Sequence, residues 1–414
     1  MKKRTLLVVI AFVLALTACS SDDGGDEGDS SSGTEAPDTT DAADPADALT
    51  GEPVRLMALA DVEGLGEDFS NLEGGAQAAA DGINRDGGID GRPVEIELCD
   101  AERNANAAAA CARQAVDEEF AAVIGSTTTQ GAAYLPVLEE AGIPSIANLG
   151  VGGVDFQSPA AYPITLGTAG YAVAMGALAS EIGVDEVGVA YVDIEGGQLA
   201  AGAVGLGSEP NGGTVANQTP VAPNTPDLST AVAASSDGVG AVAIALTTAD
   251  ATRFVVAARQ AGADVDLIAP QAALDPTSVE ELGDDAEGVY LTSFFLPVSD
   301  EYDEMADVVA DFDASGEEFA YDDVAVNAWA GVQIFALAAA EASDLTGPSI
   351  TAALEELGEI DLGIIPPFSF QEPLVGIPTF ERTFNTHVLF NQVEDGATVP
   401  LTGEFVNPFE PLAE

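Results

Sequence analysis

The residues best suited to bind a small ligand are the hydroxyl side chains of the segment 125–131, which reads GSTTTQG. An apolar run at 121–124 precedes this segment, and a pattern typical of a helix follows it from Ala132 to Ala141. The free N–H groups and the positive dipole end of a helix N-terminus favour an anion at such a turn. Helix capping is the alternative, although four consecutive hydroxyls exceed what one cap needs. We therefore predict a ligand site at this turn.

The elements that position this turn are predicted strands that alternate with predicted helices. This alternation indicates parallel sheets with crossover helices, and about 360 residues after the first 50 suffice for two lobes. Ligands of such sheets bind at the carboxyl ends of strands, where the hydroxyl turn lies. Near the end of the chain, the pattern predicts a helix from Asp300 to Ser315 and a strand from Phe380 to Val393.

The N-terminus has the pattern of a bacterial lipoprotein signal peptide. Basic residues precede an apolar run from Leu6 to Leu16, which is too short to span a bilayer but suits a signal peptide. The run ends in Leu-Thr-Ala-Cys, which resembles a lipobox and predicts lipidation of Cys19. An ordinary secretory signal with an incidental cysteine is the alternative. We predict a signal peptide over 1–19 and a disordered acidic tether over 20–51.

The chain is strongly acidic, with a formal net charge of −59. It contains 70 acidic and 11 basic residues, and its only lysines are Lys2 and Lys3. Clustered Lys and Arg are needed for phosphate contacts, so the composition argues against nucleic-acid binding. A Walker-type nucleotide loop also needs a lysine, and none follows residue 3. Such an acidic surface is typical of life in high salt or of selection for solubility.

Enzymatic chemistry has little support in the sequence, and we predict no cofactor and no metal. His387 is the only histidine, so a His-based triad or a Cys/His metal site would depend on that one residue. Paired carboxylates for glycoside hydrolysis stay open, because acidic residues are abundant enough to pair by chance. With Cys19 lipidated, Cys99 and Cys111 remain, and we favour a disulfide over two separate buried thiols.

Several collinear motifs carry a family resemblance. The segment 82–95 reads GINRDGGIDGRPVE, and it is followed by Cys99-Asp100, by VIGS at 123–126 and by EAGIPSI at 140–146. In order and spacing these motifs resemble the leucine/isoleucine/valine-binding family of periplasmic solute-binding proteins. The likeness covers the first lobe well and the second lobe by pattern only.

The resemblance implies an α/β fold of two Rossmann-like lobes with parallel sheets, joined by three hinge crossings. The N-terminal lobe would comprise 52–167 and 297–367, and the C-terminal lobe 168–296 and 368–414. Together with the lipobox at Cys19, the resemblance predicts a monomeric receptor anchored by lipid on the outer face of the cytoplasmic membrane. This receptor would close over a small polar or carboxylated molecule and deliver it to the membrane permease and ATPase of an ABC importer. A sensory or orphan binding protein of the same fold is the alternative, and an extracytoplasmic hydrolase is less favoured.

In amino-acid-binding members of the family, the hydroxyl turn and the segment after the fourth strand hold the ligand's carboxylate and ammonium. Ser126 matches the family's hydroxyl position, and Thr127 and Thr128 extend the turn. A carboxylate that pairs with the ammonium would fall near Gln271, and an amide is a poorer partner for a buried cation. The segment after the fourth strand lacks the family's threonine and consists of Asn148, Leu149, Gly150 and Val151.

Four further side chains are ligand-binding candidates because of their position. Phe69 precedes the first predicted helix, where it either stacks on the ligand or packs onto that helix as a hydrophobic staple. Tyr171 lies just past the first hinge crossing and is within reach of the cleft. Asp193 and Thr247 each follow a strand of the second lobe. A solvated loop is the alternative for Asp193, and a helix cap is the alternative for Thr247.

Overall fold

The computed structural model describes residues 49–62, 71–316, 319, 321–373 and 380–411. The predicted signal peptide, Cys19, the tether as far as residue 48 and Phe69 lie outside these residues. Within the described part, strands and helices alternate and form two α/β lobes, each built on its own sheet.

The first lobe is built on a five-stranded parallel sheet. Its strands are β1 (Val54–Ala60), β2 (Val94–Asp100), β3 (Ala122–Thr127), β4 (Ser145–Ile146) and β5 (Ala161–Tyr162). They lie in the order β2-β1-β3-β4-β5, and all neighbouring pairs are parallel. The carboxyl ends of β1 and β3 are therefore adjacent, which brings the hydroxyl turn next to the residues that follow β1.

The second lobe is built on a seven-stranded mixed sheet. Its strands are β6 (Glu186–Val192), β7 (Thr214–Val221), β8 (Ala241–Ala245), β9 (Asp266–Pro270), β10 (Tyr290–Ser293), β11 (Leu389–Glu394) and β12 (Ala397–Pro400). They lie in the order β12-β11-β10-β9-β8-β6-β7. The strands from β6 to β10 are parallel, whereas β11 and β12 form an antiparallel hairpin at one edge.

The helices cover both sheets. In chain order they are α1 (Asn71–Arg85), α2 (Ala105–Asp117), α3 (Gly131–Ala141), α4 (Gly167–Glu181), α5 (Glu195–Ser208), α6 (Ser229–Ser235), α7 (Thr248–Ala261), α8 (Pro276–Leu282), α9 (Ala306–Ser315), α10 (Asp323–Glu341) and α11 (Gly347–Glu356). Helices α4 to α8 belong to the second lobe, and the others belong to the first. In the part of the chain that the structure describes, β5 and α4, β10 and α9, and α11 and β11 are consecutive elements of different lobes, so the chain crosses between the lobes three times.

Helix α10 forms the centre of the first lobe. Among the described residues it is the one helix long and apolar enough to cross a membrane, and 78% of its most apolar window is buried in the protein. It packs against α1 and β3, and its large side chains Trp329 and Phe335 are buried. The apolar composition of α10 therefore reflects a core helix that is covered on nearly every side.

Two predicted elements begin later than the sequence pattern indicates. The helix predicted from Asp300 begins at Ala306, after a short 3-10 turn. The strand predicted from Phe380 begins only at Leu389, because Arg382 in the preceding segment bonds to the first lobe and not to the sheet of the second lobe. The backbone N–H of Arg382 donates to Phe156 O at 2.8 Å, and its Nε donates to Ala161 O at 3.0 Å.

Cys99 and Cys111 form a disulfide between the end of β2 and the middle of α2. Cys111 is buried among apolar side chains that fill the space between α2, α3 and the sheet. The bridge closes a loop of 12 residues and attaches α2 to the edge strand of the first sheet, where backbone pairing exists on one side only.

Helices α4 and α5 pack at unusually close range through glycine. A Cβ atom added at Gly207 would lie 1.8 Å from Val173 O, and one added at Gly176 would lie 1.9 Å from Val204 O. By contrast, a Cβ atom at Gly202 in the same helix α5 would meet nothing within 4 Å. The contact therefore depends on two specific glycines and not on glycine content in general.

We predict that Gly207→Ala destabilises the protein by roughly 2–4 kcal/mol, because the added methyl group forces the two helices apart. Gly202→Ala is the matched control, and it should stabilise the protein by up to about 1 kcal/mol because alanine is the better helix former. Urea unfolding of both variants measures the difference. Equal effects of the two substitutions would contradict the close contact between α4 and α5.

Candidate ligand-binding site

A cavity of about 1330 Å³ lies between the two lobes. The first lobe contributes residues that follow β1, β3 and β4, together with α1 and the segment before α10. The second lobe contributes residues of α4 and α5 and residues that follow β8 and β9. The cavity thus lies at the carboxyl ends of strands from both sheets, which is where such folds bind ligands.

The hydroxyl turn borders this cavity, but its donors already bind a carboxylate of the protein. Thr128 and Thr129 line the cavity, as does Asp61, which follows β1 and is only 1% exposed. Thr128 Oγ1 donates to Asp61 Oδ1 at 3.0 Å, and the backbone N–H of Thr129 donates to Asp61 Oδ2 at 3.2 Å. The backbone N–H of Arg103 adds a third bond of 2.9 Å. The turn is thus an anion site, and Asp61 occupies it.

Ser126 and Thr127 do not line the cavity, contrary to the sequence-based expectation. Strand β3 continues to Thr127, so both residues belong to the sheet and their side chains are buried in it. Ser126 Oγ lies 2.7 Å from Tyr134 Oη and 2.9 Å from Ser145 Oγ, in a buried hydroxyl cluster below the turn. Thr127 Oγ1 donates to Gly125 O at 2.9 Å. Both hydroxyls therefore form buried hydrogen bonds beneath the turn and do not face the cavity.

In the segment after β4, alternate residues face the cavity. Leu149 and Val151 line it, whereas Asn148 and Gly150 do not. Asn148 is buried and donates through Nδ2 to Asp155 O at 3.4 Å. Gly150 packs so closely on the ring of Phe156 that an added Cβ atom would lie 2.4 Å from it. This segment thus offers apolar side chains to a ligand, and no hydroxyl.

On the side of the second lobe, the predicted residue Tyr171 lines the cavity. Thr247 caps α7 by accepting from the backbone N–H of Asp250, and its neighbour Thr248 lines the cavity instead. Asp193 is exposed and lies outside the lining, as expected for a solvated loop. Gln271 also lies outside it, because its side chain is buried and accepts from Asn391 Nδ2 at 3.4 Å.

Two carboxylates that the sequence analysis did not single out line the cavity from opposite lobes. Asp275 caps α8 in the second lobe and accepts from the Ser278 N–H at 2.7 Å. Asp322 caps α10 in the first lobe and is 4% exposed. The pKa of Asp322 is raised to about 6, mainly because the carboxyl group is buried. Hydrogen bonds from the N–H of Ala325 and from Asn71 oppose this increase, and the charge of Asp275 adds to it.

Asp323 lies beneath the cavity, where the lobes meet. It is buried, and its Oδ2 accepts from Tyr171 Oη at 2.8 Å and from the Phe294 N–H at 2.8 Å. Phe294 begins the second crossing, and Tyr171 follows the first. Burial raises the pKa of Asp323 to about 7, although both hydrogen bonds favour the ionised form. This one carboxyl group therefore connects α10 to two of the three crossings.

A family profile described as periplasmic binding protein matches residues 53–379. The chain belongs to the periplasmic binding protein family. No curated protein sequence gives a significant match. Among the described residues, no group of three or more His, Cys, Asp or Glu side chains is arranged to hold a metal ion.

Solved structures share the fold of this periplasmic binding protein. A possible leucine/isoleucine/valine-binding protein from Rhodopirellula baltica SH 1 gives a TM-score of 0.72 at 17% identity, covering 87% of this chain and 98% of that chain. The branched-chain amino acid transporter substrate-binding protein of Streptococcus pneumoniae, solved with isoleucine, gives a TM-score of 0.70 at 19% identity, covering 86% of this chain and 100% of that chain. A solute-binding protein of an ABC transporter from R. palustris, solved with 4-hydroxybenzoate, gives a TM-score of 0.69 at 19% identity, covering 86% of this chain and 96% of that chain.

The three carboxylates of this periplasmic binding protein that the sequence analysis missed all have local signals. Asp61 directly follows β1, at the carboxyl end of a strand beside the hydroxyl turn. Asp275 precedes a proline and Asp322 precedes an apolar helix, so both have the pattern of an N-cap. These signals were hard to separate from the background, because the chain contains 70 acidic residues.

We predict that acetate specifically stabilises the Asp61→Ala variant of this periplasmic binding protein. Removing the carboxylate deprives the buried Thr128 hydroxyl and the part-buried N–H groups of Thr129 and Arg103 of their acceptor, and it should cost roughly 1–3 kcal/mol of folding free energy. Acetate can then enter the vacated site and raise the melting temperature, whereas the wild-type protein has no such vacancy. Melting curves in acetate and in chloride of equal ionic strength separate this effect from charge screening. The same acetate response in wild type and variant would contradict an anion site at the turn.

We predict that Asp323→Asn reduces the pH dependence of stability. The folded-state pKa values of Asp323, at about 7, and of Asp155 and Asp322, at about 6, exceed the ordinary aspartate value. The stability that this difference provides is complete below the ordinary aspartate value of 3.8, and it is lost progressively as the pH rises from there through 6 to 7. The variant should therefore melt at a higher temperature than wild type near pH 8, and this difference should decrease steadily as the pH falls towards the ordinary aspartate value of 3.8.

Melting temperatures of wild type and Asp323→Asn across this pH range measure the effect. Asp344→Asn, which removes an exposed carboxylate that bonds to Thr346 and Ser349 far from the crossings, is the control for a change in net charge. If the melting temperatures of wild type and Asp323→Asn changed with pH in the same way, the carboxyl group of Asp323 would not contribute to the pH dependence of stability.

Proposed function

We propose that this chain is an extracytoplasmic solute-binding receptor that captures a small molecule between its lobes and delivers it to the permease of an ABC importer. The observation that supports this most strongly is the cavity itself, because both lobes line it and the chain crosses between them beside it. In this architecture a ligand that contacts both lobes stabilises the closed arrangement.

The second lobe offers an apolar surface that closure would cover. Ile194 and Leu199 line the cavity, yet they are 47% and 68% exposed. Large apolar side chains that face a cavity and remain accessible to water gain free energy when a ligand or the opposite lobe covers them. Leu149 and Val151 lie on the side of the first lobe. We infer that these apolar walls enclose the body of the ligand.

The proposal assigns ligand contacts to the predicted residues that line the cavity, namely Thr128, Leu149, Val151 and Tyr171. It involves reversible binding without covalent chemistry, in keeping with a family of binding proteins. Relatives of the same fold were solved with isoleucine and with 4-hydroxybenzoate, which supports a ligand of that size. Anchoring through a lipidated Cys19 and action as a monomer complete the proposal.

A thermal-shift screen of amino acids, amides, urea, polyamines and aromatic acids tests the proposal, because a bound ligand stabilises the folded protein. Small-angle scattering of the protein with a hit should show a smaller radius of gyration on closure. In the source organism, deletion of the gene should abolish uptake of the same compound. A purely sensory protein would show closure without any loss of uptake.

We predict that Leu199→Ser weakens binding of such a hit about ten-fold, because a leucine side chain loses its burial in the closed state. Leu206→Ser is the matched control: Leu206 is on the same helix and is 48% exposed, but it lies outside the cavity lining. Isothermal titration calorimetry measures both variants. If both variants bound the hit with the same affinity, α5 would not form part of the binding surface. That result would contradict closure over the ligand.

A further inference from the structure

The hydroxyl turn has little capacity left for a negatively charged ligand. The Thr128 hydroxyl and the Thr129 N–H both donate to Asp61, and the Gln130 N–H donates to Thr128 Oγ1 at 3.1 Å. A carboxylate that entered the cavity would therefore have to displace the protein's own carboxylate from these donors. It would also approach the negative charge of Asp61 at close range.

Among the residues that the structure describes, the charged side chains that line the cavity are predominantly negative. They comprise the carboxylates of Asp61, Asp275 and Asp322 and the guanidinium group of Arg103. Asp322 lines the cavity from the first lobe, at the start of α10, and Asp275 lines it from the second lobe, at the start of α8. Two like charges that face each other across a cleft oppose its closure unless a cation lies between them.

Aromatic rings lie beside Asp322 on the same wall. Phe319 and Tyr321 line the cavity with ring centroids 5.3 Å apart, and Phe312 supports both rings from behind at 5.1 and 4.9 Å. Gly74 in α1 makes room for Phe319, since an added Cβ atom would lie 2.6 Å from the ring. The faces of such rings attract cations, and together with carboxylates they form the usual recognition site for organic ammonium groups.

We propose that this cavity selects a small organic cation, with an ammonium or amidinium group between Asp275 and Asp322 and an aromatic or apolar body against Phe319 and Tyr321. The inference rests on the proposed function, which it narrows to a ligand class. It departs from the zwitterionic and anionic ligands of the two relatives solved with isoleucine and 4-hydroxybenzoate. A cation that bridges the lobes also makes closure dependent on the ligand, because it removes the repulsion between the two carboxylates.

Benzamidine, benzamide and benzoate provide the test, because they share a ring and a planar head group and differ in charge by one unit at each step. The protein without its signal peptide is titrated with each compound near pH 8 by calorimetry or ligand-observed NMR. We expect affinity to decrease from benzamidine to benzamide to benzoate, with a difference of at least about ten-fold between the first and the last.

Asp275→Asn and Asp322→Asn identify the groups responsible. Asparagine caps a helix as well as aspartate does, so both variants should keep their folds while losing one negative charge. Each should reduce the preference for benzamidine over benzoate by about three-fold or more. Asp227→Asn is the matched control, since Asp227 bonds to the N–H of Ser229 at the start of a short helix and lies outside this cavity.

Benzamidine that binds no more tightly than benzoate, including failure of both to bind at millimolar concentration, overturns the inference. An unchanged preference in both cavity variants also overturns it. These results leave the proposed function standing if an amino acid or an aromatic acid from the wider screen still closes the lobes in solution scattering. The proposed function itself fails if no solute produces closure, or if deletion of the gene leaves uptake of the bound solute unchanged.

Discussion

The carboxylate of Asp61 accepts hydrogen bonds from two separate loops and thereby holds the rim of the first lobe together. Thr128 and Thr129 belong to the loop after β3, and Arg103 belongs to the loop after β2. A buried carboxylate is costly unless charge-assisted hydrogen bonds compensate for its lost hydration, and here three donors do so. Because Asp61 directly follows β1, the carboxyl ends of three adjacent strands are held in one fixed arrangement. The first-lobe wall of the cavity depends on this arrangement.

Asp322 and Asp323 show how consecutive residues can serve different purposes. Asp322 caps α10 and faces the cavity, whereas Asp323 turns inward to Tyr171 and Phe294. The inward bonds connect the first lobe to two crossings, so a movement of the lobes must either preserve them or break them. In a site of low dielectric, breaking bonds to a buried carboxylate is expensive. The lobes should therefore pivot about Asp323, while Asp322 and Asp275 approach or separate above it.

The sequence predicted the architecture because strand-helix alternation depends on local periodicity, and collinear motifs then indicated the family. The residues of the site were harder to predict, because the orientation of their side chains depends on where a strand ends. β3 extends to Thr127, so Thr128 reaches the cavity and Ser126 lies behind it. In the second lobe, Gln271 lies in a buried network and Asp275, four residues later, reaches the cavity. No periodicity in the sequence distinguishes these alternatives, since they follow from the tertiary position of each loop.

The large negative charge of the chain and the negative cavity have different physical consequences. Charges on the surface are screened over about 8–10 Å at moderate ionic strength and over about 3 Å in molar salt. They attract cations of every kind and therefore cannot select one. Asp61 and Asp322 are almost fully buried, so their fields are screened much less and act on whatever enters the cavity. Selection among solutes must accordingly arise from these few buried carboxylates and the adjacent rings, whatever the charge of the surface around them.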